Sequence, residues 1–170
     1  MTKGRRYVPD DVQPGIIPQE RIRDTSGLDL LLEMISGRLP AAHIAKLLNF
    51  TLSEAGDGYA IFRGEPSIDY YNPVGTVHGG WMATVLDSAL GCCVQTKLPA
   101  GFGYTTVEFK VNLIRPLSAS SGEVICEARV VHFGRTTAVS EATLKTADGK
   151  LVAMGTETCA IFKLPDRPQS

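Results

Sequence analysis

The chain has 170 residues, 44% of them hydrophobic, enough for one well-cored domain and short of two comfortable ones. Its net charge of −1 and pI of about 6.3, with Lys and Arg scattered singly, argue against a nucleic-acid partner or a membrane-surface patch. The basic start at Met1 to Asp10 is followed by no apolar stretch, and no apolar run reaches the ~18 residues of a membrane span, so the protein is expected to be cytoplasmic.

Residues 1 to about 18 carry Pro9, Pro14 and Pro18 among polar residues, the composition of an extended arm, loosely held or draped on a partner. Ser26 can cap a short helix running through Glu33 to Ile35, with Gly37 just past its end, and Pro40 can open a second helix over Ala41 to Leu48. This front section sets off an N-terminal extension over 1–45 from a main domain over 46–165, with a tail over 166–170. Phe50 to Glu54 and Tyr59 to Gly64 alternate around Gly56-Asp57-Gly58, a hairpin signal. After a loop over Asn72 to Gly80, Trp81 to about Lys97 is apolar on nearly every side, which predicts a helix wrapped by other structure. Pro99 and Gly101 end it. Tyr104 to Arg115, Glu123 to Phe133, Thr136 to Thr146 and Lys150 to Leu164 then alternate as strands. Cys92, Cys93, Cys126 and Cys159 sit in apolar strings and are expected to be reduced core residues.

Two strands, one long buried helix and four strands give an α+β class, and a single helix covered by one curved antiparallel sheet is the hotdog arrangement. Long strands leave sheet edges to protect, and so apolar a helix needs cover on several sides, so a homodimer is expected. Such dimers can pair again into tetramers.

The segment from Asn72 to Leu90 carries the chemistry. His78-Gly79-Gly80 stands at the entrance of the helix, where uncovered N–H groups and the helix dipole suit an anion or a developing oxyanion. Asp87 follows two turns later with Ala83, Thr84, Leu90 and Gly91 as its helical neighbours, none charged. An Asp there either faces solvent or is a buried acid held for catalysis, and its uncharged setting favours the second. Gly79 and Asp87 lie ~12 Å apart along the axis at ~1.5 Å per residue, so one helix cannot close a site around one carbonyl. A second copy of the helix, running antiparallel, would supply the missing half. His78 shapes the site or caps the helix. Asn72 either makes the turn before Pro73 or orients the acid or a water.

A Gly-x-Ser-x-Gly elbow is lacking, and His43, His78 and His132 show no metal-ligand spacing, so neither a hydrolase triad, a metal nor another cofactor is expected.

Asn72, His78-Gly79-Gly80, Asp87 and the strand from Tyr104 to Pro116 together resemble the phenylacetate-degradation type of hotdog acyl-CoA thioesterase, similar to the hydroxybenzoyl-CoA thioesterases with an acid on the central helix. Gly134-Arg135-Thr136-Thr137 and Asp148 to Thr156 resemble it too, over a stretch from about Phe50 to Phe162. The resemblance implies that Gly79 N–H holds the thioester oxygen and that Asp87 is nucleophile or general base. Asn72 and His78 would position substrate or water, and Thr106, or Thr105 if the loop length differs, would place the water. A one-residue change flips that side chain to the other sheet face. Gly80, Thr105, Arg135 and Thr136 are the candidates for contact with the coenzyme A ester. Trp81, Met82, Phe102 and Tyr104 either line an acyl pocket or belong to the core. The same fold also serves dehydratases, whose paired His and acid are not found here, and acyl-CoA sensors, for which Lys3, Arg5 and Arg6 offer only a small basic cluster.

Overall fold

The computed structural model describes residues 5–165; residues 1–4, Lys3 among them, and the tail over 166–170 lie outside them. Three short helices come first, α1 (Gln19–Asp24), α2 (Gly27–Ile35) and α3 (His43–Leu47). The hairpin β1 (Phe50–Gly56) and β2 (Tyr59–Gly64) follows, then α4 (Gly79–Gln95) and the strands β3 (Phe102–Leu113), β4 (Val124–Phe133), β5 (Thr137–Thr146) and β6 (Leu151–Lys163). The strands form one antiparallel sheet in the order β1-β2-β4-β5-β6-β3. It curls around α4, which meets every strand: the hotdog arrangement.

The local signals act as their chemistry requires. Ser26 accepts the Asp29 N–H at the start of α2, and Gly37 closes that helix with φ +74°. Gly58 takes φ +78° in the two-residue turn of the first hairpin. Val85, Leu86, Ala89, Leu90, Cys93 and Val94 of α4 are fully buried against Val124, Cys126, Leu144 and Val152 of the sheet. All four cysteines are free thiols.

Two expectations are corrected. The proline-rich start does not hang free: Val8 is buried in the common core, Tyr7 N–H donates to Asn49 Oδ1 at 3.1 Å, and Lys46 Nζ donates to the carbonyls of Asp10 and Val12. It drapes on its own chain, with the unpredicted helix α1 following it. The central helix begins at Gly79, two residues early, and is not covered all round. One stripe of Gly80, Thr84, Asp87, Ser88 and Cys92 stays at least partly open. The hydroxyls of Thr84 and Ser88 donate to the carbonyls four residues back, at 2.8 Å each, which keeps this stripe flat.

β3 is an edge strand of the sheet and the most exposed of the six. Its pairing with β6 slips between Thr106 and Glu108, so that Val107 is an extra residue with no opposite partner, a β-bulge.

Candidate active site

The loop before α4 is built around Asn72. Its Oδ1 accepts from Val74 N–H and Thr76 N–H, its Nδ2 donates to Thr76 Oγ1, and Gly75 turns the chain at φ +86°. The amide of Asn72 therefore serves the loop, the turn reading of this residue. The loop delivers His78 to the N-cap of α4, where Nδ1 accepts the Gly80 N–H at 2.9 Å and the backbone N–H is held by Tyr70 O at 2.8 Å. An Nδ1 that accepts leaves the proton of the neutral ring on Nε2, so His78 caps the helix.

Among the first N–H groups of α4, that of Gly80 goes to His78; no acceptor among the described residues takes that of Gly79. A Cβ on Gly79 would come within 2.6 Å of Leu113 Cδ1, so the helix start presses against the far end of β3. An unclaimed N–H at this end of a 17-residue helix is suited to an oxygen that gains negative charge.

Asp87 is exposed in the single chain rather than buried, because it stands on the uncovered stripe. It has no hydrogen-bond or ion-pair partner among the described residues, and partial desolvation by the surrounding apolar groups raises its pKa above 3.8. Its carboxyl opens onto a cavity of about 280 Å³ lined by Met34, Ala42 and Ile44 of the front section, Phe50, Leu52 and Phe62 of the first hairpin, and Tyr104 and Thr106 of β3. The helices α2 and α3, with the segment that joins them, are thus the roof of the chamber that holds the acid. Of the residues considered for an acyl pocket, Tyr104 lines this chamber, while Trp81 and Met82 are core. Trp81 stacks on Tyr70 at 6.0 Å and donates Nε1–H to Leu48 O. Phe102 packs against the same core.

Register sets which of Thr105 and Thr106 faces the chamber. Thr106 lies opposite Cys159 on the concave face and shares the chamber with Asp87, whereas Thr105 lies opposite Ala160 and faces the other way. Thr136 and Arg135 are exposed in the turn between β4 and β5; Thr136 O accepts the Ile161 N–H, next to the residue that Thr105 opposes. Thr105, Arg135 and Thr136 therefore share one rim of the sheet, one strand position from Thr106.

Glu157 was missed in the sequence. It lies on β6 with no exposure at all; Oε1 accepts from Thr106 Oγ1 at 2.8 Å and from Cys159 Sγ at 3.0 Å, and Oε2 has no partner among the described residues. Burial pushes its pKa up, the hydrogen bonds from Cys159 and Thr106 pull it part of the way back, and the charges of Asp87 and Glu108 add a smaller push upward. Alternation could have found it, since Gly155, Glu157, Cys159 and Ile161 share the buried parity of their strand. Among the described residues no three His, Cys, Asp or Glu side chains are grouped to hold a metal ion, and no helix is long and apolar enough to cross a membrane.

Residues 74–153 match the thioesterase superfamily. Human acyl-coenzyme A thioesterase 13 is 29% identical over 140 residues, covering 79% of this chain and 96% of the relative. A conserved protein from Pseudomonas aeruginosa of known structure is 34% identical, covers 71% of this chain and 94% of its own, and superposes with a TM-score of 0.66. A phenylacetic acid degradation-related protein from Ralstonia eutropha JMP134 is 28% identical over 76% of this chain and 98% of its own, with a TM-score of 0.69. An acid at the mouth of an apolar chamber, a hydroxyl beside it and an unclaimed helix N–H are the parts that ester and thioester cleavage needs, and together with these likenesses they lead to one conclusion: the chain belongs to the thioesterase superfamily and is a thioester hydrolase of the hotdog fold.

Proposed function

We propose that the protein hydrolyses acyl-CoA thioesters, with an aryl or short- to medium-chain acyl group, at sites shared between two copies of the chain. The observation that carries this reading is the meeting of Asp87 and Thr106 in one apolar chamber. At about 280 Å³ the chamber sits at the small end of the ~300–1,000 Å³ usual for small-molecule sites, which suits a compact acyl group. The likeness to the human acyl-CoA thioesterase and to the phenylacetate-related protein supports the same substrate class.

In this reading the acyl group enters the chamber and the thioester carbonyl stays at its mouth. Gly79 N–H of one copy receives the carbonyl oxygen, and ionised Asp87 of the other acts as nucleophile or general base. Water adds its oxygen to the carbonyl carbon, the C–S bond breaks, and the sulfur leaves as coenzyme A with the proton. His78 holds the helix entrance in shape and Asn72 holds the loop that delivers it. Thr105, Arg135 and Thr136 offer a rim along which the coenzyme portion would lie, with Gly80 of the other copy brought in beside that copy's Gly79. Pairing of two copies is supported by the open edge of β3, where Val107 is 61% and Leu113 53% exposed, and by the flat stripe of α4 around Asp87. A second α4 laid antiparallel on that stripe would bring one Gly79 towards the other Asp87, twice by symmetry. Residues 46–165 would then be the catalytic unit and the front section its roof.

The test is release of free thiol from aryl-, short-, medium- and long-chain acyl-CoAs by wild type and by Asp87→Asn. Turnover of at least one ester by wild type, and its loss by orders of magnitude in a folded Asp87→Asn protein, is the expected result. Equal activity in the two proteins would remove Asp87 from the reaction.

A further inference from the structure

Asp87 and Thr106 face the chamber, and Glu157 is sealed behind it. A glutamate with no exposure, on the core face of a strand, is costly to keep without a cation or a proton. Among the described residues its surroundings supply no cation. Thr106 and Tyr104 approach from β3, the Cys93 thiol from α4 and the Cys159 thiol from its own strand, and Ser140 stands opposite it on β5. The charges that reach it, Asp87 from α4 and Glu108 from β3, are both negative. With only negative charges in reach, burial favours the protonated carboxyl, against the pull of the two hydrogen bonds that it accepts.

Oε1 of that acid already accepts two hydrogen bonds, from Thr106 and from Cys159, so the proton belongs on Oε2. The bond to Thr106 has a consequence inside the chamber. A threonine hydroxyl owns one proton and two lone pairs, and here the proton is committed to Glu157. Towards the chamber Thr106 can therefore only accept. A water between Thr106 and Asp87 then meets two acceptors, gives one proton to each, and turns its own lone pair away from both, towards the mouth where the carbonyl carbon would lie.

We infer that Glu157 is a positioning residue for thioester hydrolysis: as a buried neutral acid it fixes Thr106 as a hydrogen-bond acceptor, and so aims the water that Asp87 deprotonates. This assigns Asp87 the part of general base rather than nucleophile, and it rests on the thioesterase reading above. The step balances: Asp87 takes one proton of the water, the remaining hydroxide oxygen bonds to the carbonyl carbon, and the C–S bond then breaks with that proton passing to the sulfur.

The test compares Glu157→Leu, Glu157→Gln and Thr106→Val in the full-length protein on an ester that wild type hydrolyses. Glu157→Leu should lose about tenfold to a hundredfold in kcat with KM little changed, because the water is misaimed and the acyl site is intact. Glu157→Gln, whose amide oxygen can still accept from Thr106 and Cys159, should recover most of that loss. Adding Thr106→Val to Glu157→Leu should cost nothing further, since the two act as one unit. The acidic limb of the kcat/KM profile should stand at the same pH in Glu157→Gln as in wild type, as neither places a charge beside Asp87. A Glu157→Leu protein with wild-type kcat, a Glu157→Gln protein as impaired as Glu157→Leu, or an acidic limb that moves down in Glu157→Gln would each overturn the inference and leave the thioesterase reading standing. Should Glu157→Leu fail to fold, Thr106→Val and the Glu157→Gln profile decide the matter. A wild type inert towards every ester in the panel overturns both.

Discussion

Met34 reaches from α2 into the roof of the chamber and is packed partly against the core. Met34→Ala removes the three heavy atoms beyond Cβ and opens space for about the same number of acyl carbons. Each methylene taken out of water contributes ~0.8 kcal/mol, so filling that space is worth up to ~2.4 kcal/mol. Converted at ~1.4 kcal/mol per tenfold, this gives about a fiftyfold relative gain in kcat/KM for the longer esters. The expected outcome is an optimum moved two or three carbons upward, in the range of about 1–3 kcal/mol by which apolar pockets discriminate chain length. Ala42→Leu adds bulk to the same roof at the N-cap of α3 and should move the optimum downward. The assay is kcat/KM over a series of straight-chain acyl-CoAs, with thermal unfolding run alongside to show that the roof is intact. Profiles that stay parallel to wild type in both variants would refute the assignment of this chamber to the acyl group.

Shared sites can be tested by complementation. Gly79→Pro deletes the helix N–H at the first helical position, where proline is tolerated; His78 already has the extended backbone (φ −61°, ψ 134°) that a following proline requires, and the new Cβ displaces only the tip of the Leu113 side chain. Alone it should lose about a hundredfold to a thousandfold in kcat; mixed and reassociated with Asp87→Asn it should regain about a quarter of wild-type activity, because half the dimers are mixed and each holds one intact site. No recovery on mixing would mean that both groups act within one chain. The buried acid also makes a stability prediction. Its folded pKa lies above the 4.5 of the unfolded chain, so folding is favoured most below that pH and weakens as pH rises past 4.5, with a slope of up to ~1.4 kcal/mol per pH unit while the carboxyl stays neutral. Glu157→Gln removes that slope, so its thermal midpoint should overtake wild type increasingly above pH 4.5, and parallel curves would contradict the assignment. In the roof, Leu31 is 1% exposed, and Leu31→Ala should cost ~2–5 kcal/mol in urea unfolding.

The elements that build the fold were legible because their signals are local. Strict alternation marks β4 to β6, Gly58 marks the hairpin and Ser26 with Gly37 brackets α2. The loop-helix signature around Asn72 and Asp87 was legible for the same reason. What escaped depends on partners far along the chain. Val8 is one apolar residue in a polar stretch, and its burial is set by neighbours such as Asn49 that hold the segment. α1 is six residues long with no buried side chain, so it has no periodicity to betray it. Asp87 was expected to be buried because its helix is apolar, yet the sheet wraps that helix on every side but one. The parity of β6 marks Glu157 as buried, but its partnership with Thr106 exists only once β3 lies beside that strand.

The bulge at Val107 joins two halves of β3 that are out of phase. Tyr104 and Thr106 face the chamber on even numbers, while Phe109 and Val111, opposite Glu157 and Gly155, share that face on odd ones. Removing the one extra residue would therefore not shorten the strand by an increment; it would force one half to turn inside out, taking either the threonine from the chamber or the phenylalanine from the core. Length at this point in the chain is a matter of parity, and a deletion here cannot be repaid by an insertion in any loop.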